Sequence, residues 1–186
     1  MSKKKMIEMK TPEQVIAYRR RYLADQAEVY SFAQRLIMLI LVFGILFGFV
    51  FGIRPMPNAD MSPRISAGDL MLFFRLDNEF HNGDVVVIKK NGRWYTSRIV
   101  AQGGDTVEIT DDAKLKVNGS IVIENDIYYT TPQYESDVTY PVVLADNEFF
   151  LLCDFREGAK DSRYFGAVKR SEIKGKVITV VRRSGL

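Results

Sequence analysis

One cysteine and one histidine are all that these 186 residues offer to thiol or imidazole chemistry. A lone Cys153 excludes an intrachain disulfide and a thiolate zinc cluster. It lies in the apolar run Phe149–Cys153 and reads as a small core residue. His81 stands in the polar stretch Asn78–Asp84 and reads as a surface-turn residue, so a Ser-His or Cys-His mechanism finds no support. The net charge of +3 is too small to imply nucleic acid as a partner. No repeat or low-complexity segment interrupts the chain. No cofactor and no metal is expected.

Charge is also missing from one long stretch, and there its absence is informative. Leu36 to Ile53 carries no ionisable residue, and Arg35 and Arg54 bracket it. At about 1.5 Å per residue a helix of this length reaches roughly 27 Å, close to the ~30 Å hydrocarbon core of a bilayer. About 35 residues precede the run and Arg54-Pro55-Met56-Pro57 follows it, with no small-residue cleavage site. An uncleaved, single-pass anchor in the cell membrane over residues 36–53 is expected. Lys3, Lys4, Lys5, Lys10, Arg19, Arg20, Arg21 and Arg35 precede it, opposed there only by Glu8, Glu13, Asp25 and Glu28. That asymmetry predicts a cytoplasmic N-terminus over residues 1–35 and an extracellular main domain over 54–186. Gly44, Gly48 and Gly52 recur every four residues, a spacing that can pack two spans together, so a homodimer is possible. Before the span, Thr11-Pro12-Glu13-Gln14 carries a helix-start signal and Val15, Tyr18, Tyr22 and Leu23 recur at helical spacing. An amphipathic helix is expected from about Pro12, and the first ten residues are expected to be disordered.

Past Arg54 the helical period disappears. Asn91-Gly92 joins the strand-like Asp84–Lys90 to Arg93–Val100, and Asn118-Gly119 joins Lys114–Val117 to Ser120–Glu124. Leu70–Arg75, Thr106–Thr110, Val142–Leu144, Phe149–Cys153 and Gly175–Val181 read as further strands. The fold class is mainly β, with residues 106–150 as a smaller inserted subdomain. A two-residue turn pairs Lys90 with Arg93, Ile88 with Tyr95 and Val86 with Ser97. Ser97 is thereby placed on one face with Val86, Tyr95 and Ile99, inward or lining a groove, while Arg98 faces the other way.

Five segments in order resemble the membrane-bound type I signal peptidases, the Ser-Lys peptidases that remove signal peptides outside the membrane. Met61-Ser-Pro-Arg-Ile-Ser-Ala-Gly68-Asp69 is similar to the segment that carries the family's nucleophile. Asn82-Gly-Asp-Val-Val-Val-Ile88 and Val117-Asn-Gly119 resemble two further boxes. Tyr95-Thr-Ser-Arg-Ile-Val-Ala-Gln-Gly-Gly104-Asp105 resembles the box that holds the lysine base. Asp161-Ser-Arg-Tyr-Phe-Gly166-Ala-Val168, with Ile173-Lys-Gly-Lys176 behind it, resembles the last box. The resemblance implies an antiparallel β domain of the signal-peptidase type behind the single N-terminal transmembrane helix.

The family's chemistry needs a serine to attack the peptide carbonyl and a lysine, neutral through burial, to take its proton. The matched positions hold Asp60 and Ser97 instead. Asp60 is a poor nucleophile toward an amide, and an aspartic mechanism would need a second carboxyl sharing its proton. Where the last box usually reads Gly-Asp-Asn and then a lysine-orienting serine, this chain reads Cys153-Asp154-Phe155-Arg156-Glu157-Gly158-Ala159. No catalytic residue is therefore expected at the matched dyad. Asp161 and Arg163 match the family's structural ion pair beside the site.

The resemblance implies a signal-peptidase-like protein without peptidase activity, like the degenerate members found beside pilin and sortase systems of Gram-positive bacteria. Its expected partners are the cell membrane and secreted surface or pilin proteins with their sortase machinery. Asp60, Met61, Pro63 and Ile65, with Val86, Tyr95, Ser97 and Ile99 opposite, are the expected groove lining. The alternative is an active peptidase with Ser62 or Ser66 as nucleophile and Lys89 or Lys90 as base.

Overall fold

The computed structural model describes residues 11–183. The chain forms two compact units, divided between Leu46 and Phe47. The first is a single helix, α1 (Pro12–Ile45), followed by a π-helical turn, Leu46–Val50. Thr11 caps it, its side chain accepting the Gln14 N–H at 3.4 Å, with Pro12 in the first turn. Among the described residues this is the one helix long and apolar enough to cross a membrane. The disorder expected for residues 1–10 lies outside the described residues.

The helical segment stops three residues short of the expected end of the span. Phe51 to Pro55 is a strand, β1, and its first three residues pair with Phe74, Phe73 and Leu72. Gly52 is required there: a Cβ at that position would lie 2.1 Å from the Phe73 ring. Gly52 therefore belongs to a strand, and the helical glycine repeat is confined to Gly44 and Gly48.

The second unit is built on two antiparallel sheets. The larger contains β1 (Phe51–Pro55), β2 (Leu70–Phe74), β3 (Val85–Lys90), β4 (Arg93–Gln102), β9 (Glu148–Leu152), β10 (Val168–Lys169) and β11 (Ile173–Val181). Its order is β1-β2-β11-β3-β4-β9-β10. The smaller joins β5 (Thr106–Ile109), β6 (Leu115–Val117), β7 (Ser120–Ile121) and β8 (Val142–Val143) in the order β7-β6-β5-β8. Glu148–Leu152 thus returns to the large sheet, and the small sheet ends at Val143.

Both Asn-Gly turns form as their chemistry requires. Asn91 and Gly92 have φ of 51° and 77°, and Asn118 and Gly119 have 53° and 77°, the left-handed pair that a tight hairpin needs. The β3–β4 register is Lys90 to Arg93, Ile88 to Tyr95 and Val86 to Ser97, as the turn predicts. Antiparallel pairing then carries Ile99 onto Leu151. Val86, Ile88, Ile99 and Leu151 close one core with Phe80, Phe149, Val168 and Ile173. A second core fills the small sheet around Val107, Leu115, Phe150 and Leu152. A third, of Met56, Met61, Ile65, Met71, Cys153 and Ala159, lies under the Asp60–Asp69 segment.

Candidate functional site

The Asp60–Asp69 segment is held from both ends. Asp69 accepts the Ser66 N–H at 2.9 Å and the Arg183 N–H at 3.0 Å. Those two bonds hold its carboxyl below the usual carboxylate range. The Asp60 carbonyl accepts the Phe155 N–H at 2.9 Å, tying the segment to the loop after β9. Inside it, the Ile65 N–H reaches the Met61 carbonyl at 2.9 Å, and the Ser62–Pro63 peptide bond is cis. Turning the chain this way drops Met61 (0% exposed) and Ile65 (4%) into the core and leaves Pro63 and Ser66 outside.

The Asp60 carboxylate is half-buried and accepts the Asn58 side-chain amide at 2.7 Å. Burial raises its pKa, the Asn58 bond counters part of that, and the nearby Asp161 charge adds to the rise. Asp161, the carboxylate whose charge reaches Asp60, is committed elsewhere. Asp161 accepts from Arg163 Nε at 2.9 Å and Nη2 at 2.8 Å, and from the Cys153 N–H at 3.0 Å. Asp161 and Arg163 are both wholly buried, and Arg163 Nη1 also donates to the Arg156 carbonyl at 2.8 Å.

Ser97 is fully buried. Its Oγ lies 3.4 Å from Cys153 Sγ, which in turn lies 3.6 Å from the Thr96 carbonyl. The cysteine thus occupies the space beside Ser97, and buried Ala159 packs in the same cluster. Burial pushes the Cys153 thiol far above its ordinary range, and the neighbouring Asp161 charge pushes it further. A thiol so protonated is neither nucleophile nor base at neutral pH.

An open cleft of 330 Å³ lies between the chain around Arg54–Asp60 and the first half of β4. Of the expected lining, Asp60 and Tyr95 border it. Met61, Ile65, Val86, Ser97 and Ile99 are instead buried, and Pro63 is exposed outside that wall. The correction has a physical cause. On the Ser97 face of β4, Ile99 pairs with Leu151 of β9 and Ser97 lies against Cys153 just past β9, so that face is covered by the core rather than open to a ligand. The wall comes from Trp94, Thr96, Met71 and Val87. Arg54 sits over the Trp94 ring at 4.2 Å, joining the two sides.

Sequence reasoning missed one further part of the site, the fully buried Arg156. Its Nη2 donates to both Glu124 carboxylate oxygens at 2.7 Å, and Nη1 donates to Thr131 at 2.7 Å. Its Nε donates to the Cys153 carbonyl at 2.7 Å. A lone arginine in a loop gives no sequence signal of burial, because both of its carboxylate contacts come from residue 124. Arg64 and Asp126 make a second, exposed link from the Asp60 segment to the same region.

A sheet-built domain behind one apolar helix, with a loop folded back over a strand pair, defines the class of the molecule. The family model for signal peptidase, peptidase S26, matches residues 29–182, and the chain belongs to that family. "Inactive signal peptidase IA" of Staphylococcus aureus is 26% identical over 163 residues, covering 81% of this chain and 90% of the relative. "Signal peptidase I S" of Bacillus subtilis is 24% identical over 164 residues, covering 82% and 89%. A crystal structure of a signal peptidase I from Enterococcus faecalis V583 aligns with a TM-score of 0.47 at 26% identity, covering 55% of this chain and 98% of that one. The inactive relatives and the apolar helix fit a catalytically inactive, membrane-anchored, signal-peptidase-like protein.

Proposed function

We propose that this chain is a non-catalytic member of its family that holds extended segments of secreted surface proteins during their assembly, pilus polymerisation being the favoured setting. In this reading its N-terminus is cytoplasmic and its β unit extracellular, an orientation supported by the basic residues before the span. One observation carries the reading. Position 97, where the chemistry needs an amine, is a serine sealed at 0% exposure against Cys153. Asp60 adds a carboxylate where a hydroxyl is needed, bound to Asn58 rather than to a base. The adjoining cleft remains open, and two strand edges border it: β1 pairs with β2 alone, and Arg93–Ser97 pairs with β3 alone. Backbone pairing at such edges holds an extended segment without chemistry.

Two placements speak against a peptidase with substitute residues. Lys90 Nζ donates to the Ala167 carbonyl at 2.7 Å and pairs with Glu172 at 3.2 Å, which holds it away from Ser62 and Ser66. Lys89 is exposed, with Nζ 5.7 Å from the Trp94 ring centre.

Deleting the gene tests the proposal. Secreted proteins are expected to lose their signal peptides normally, while the amount of assembled surface polymer falls and is restored by the parent gene. Unprocessed preprotein accumulating in the deletion strain would instead favour a peptidase. Normal processing together with normal surface assembly would remove the assembly role.

A further inference from the structure

The open cleft does not end at Tyr95. A larger one, of 730 Å³, adjoins it, and Arg93 and Tyr95 border both. Lys160, Tyr164 of the short helix Ser162–Phe165, and Thr139 on the approach to β8 are among its other lining residues. Three cations and one carboxylate, Asp137, line this second cleft. Lys90 is already paired with Glu172. Arg93 and Lys160 take part in none of the ion pairs among the described residues. Lys160 Nζ instead sits 4.8 Å from the Tyr164 ring centre. In the first cleft Arg54 lies over the Trp94 ring at 4.2 Å. Across the two clefts Arg54, Arg93 and Lys160 thus make no ion pair among the described residues, with Asp60 and Asp137 as the carboxylates of the lining, although the chain as a whole carries only +3. A concave wall concentrates their field on whatever enters.

The backbone defines the shape of the occupant. Arg93–Ser97 has β3 on one side, and β9 takes up the other side only from Arg98 onward. Alternate N–H and C=O groups along that stretch face away from β3 with no strand beyond them among the described residues, the Thr96 carbonyl meeting the Cys153 thiol at 3.6 Å. An added strand satisfies them and presents every second side chain to one face.

We propose that the groove is selective for an acidic extended peptide, whose alternate carboxylates pair with Arg93 and Lys160 while Tyr95 and Tyr164 take the apolar positions between. This rests on the non-catalytic groove reading above and names the chemistry of its client.

The test uses the full chain in detergent micelles and the emission of Trp94, the single tryptophan, which borders the groove. Three short peptides are titrated, of valine alternating with glutamate, with glutamine or with lysine. The glutamate peptide is expected to bind about tenfold tighter than the glutamine one, and the lysine peptide more weakly than either. Raising salt from about 50 to about 500 mM is expected to weaken the glutamate peptide severalfold and leave the glutamine peptide unchanged. Arg93→Gln combined with Lys160→Gln is expected to cost the glutamate peptide about tenfold and the glutamine peptide less than about twofold. Both positions are exposed, so the melting temperature is expected to hold. Equal, salt-independent binding of the glutamate and glutamine peptides overturns the acidic preference and leaves the groove reading standing. No binding by any of the three overturns both. Glutamate-peptide binding untouched by the double substitution overturns the assignment to Arg93 and Lys160.

Discussion

Ser97→Lys would place an amine where a Ser-Lys peptidase needs one, and the structure indicates what it costs. Ser97 is fully buried with Cys153 Sγ 3.4 Å from its hydroxyl, and Met61 and Ala159 pack in the cluster that holds the cysteine. A longer side chain meets close-packed atoms, and such overpacking costs about 1–3 kcal/mol. The ammonium must also lose its proton to stay buried. Moving its pKa from about 10.4 to pH 7 takes roughly 3.4 units, or about 4–5 kcal/mol. The sum is roughly 5–8 kcal/mol, a large share of the ~5–15 kcal/mol that holds a domain folded. At about 2–4 °C per kcal/mol for a chain of this size, the melting temperature is expected to fall by more than about 10 °C. The assay is thermal unfolding of the full chain in detergent, followed by the emission of Trp94 in the β unit. Adding Cys153→Gly opens the space beside position 97 and is expected to return a few degrees. Ser97→Ala loses only the contact with Cys153 and is expected to cost about 1 kcal/mol or less. A Ser97→Lys protein that melts within about 2 °C of the parent would refute the reasoning, because position 97 would then have room for an amine.

Breaking the Asp161–Arg163 pair is expected to be severe. Arg163→Met leaves a buried carboxylate short of two donated hydrogen bonds and is expected to cost about 3–5 kcal/mol, read by denaturant titration. The main-chain N–H of residue 163 still donates, so Asp161→Asn combined with Arg163→Met is expected to cost clearly less than the two single changes added together. Asp60 makes stability depend on pH. Burial raises its folded-state pKa above the ordinary 3.8, so its contribution is full below that value and is lost as pH rises through the raised one. Asp60→Asn is accordingly expected to raise the melting temperature at pH 7, with the gain shrinking as the pH is lowered toward 4; a constant gain would contradict the raised pKa. Gly52→Val forces a side chain into the Phe73 ring and is expected to destabilise the β unit by about 1–3 kcal/mol or more in the same unfolding assay.

The hairpins were legible in the sequence because their determinants are local. Asn91-Gly92 fixes the turn, the turn fixes the register, and the register places Ser97 opposite Val86. β1 was not legible, because Phe51-Gly52-Ile53 continues the apolar composition of the helix before it. Only its pairing with Leu72, Phe73 and Phe74, about twenty residues downstream, makes it a strand. The positions of Asp60 and Ser97 came from the matched boxes. Which residues wall the cleft did not, because alternation tells which side chains share a face and not which face is covered. The cover over Val86 and Ile99 comes from Phe80, Phe149 and Leu151, and the open wall from Trp94 and Thr96. The Asp161–Arg163 pair was readable from its box, but Arg156 was not, since its burial depends on Glu124 and Thr131 from a distant loop.

The most direct measurement is cleavage itself. The purified full chain in detergent is incubated with a signal-peptide-bearing preprotein, and the products are read by mass spectrometry. No product above background is expected from the parent chain, because Asp60 has no base and Ser97 is sealed beneath Cys153. A mature protein cut at the authentic site, and lost on Ser62→Ala or Ser66→Ala, would contradict that expectation.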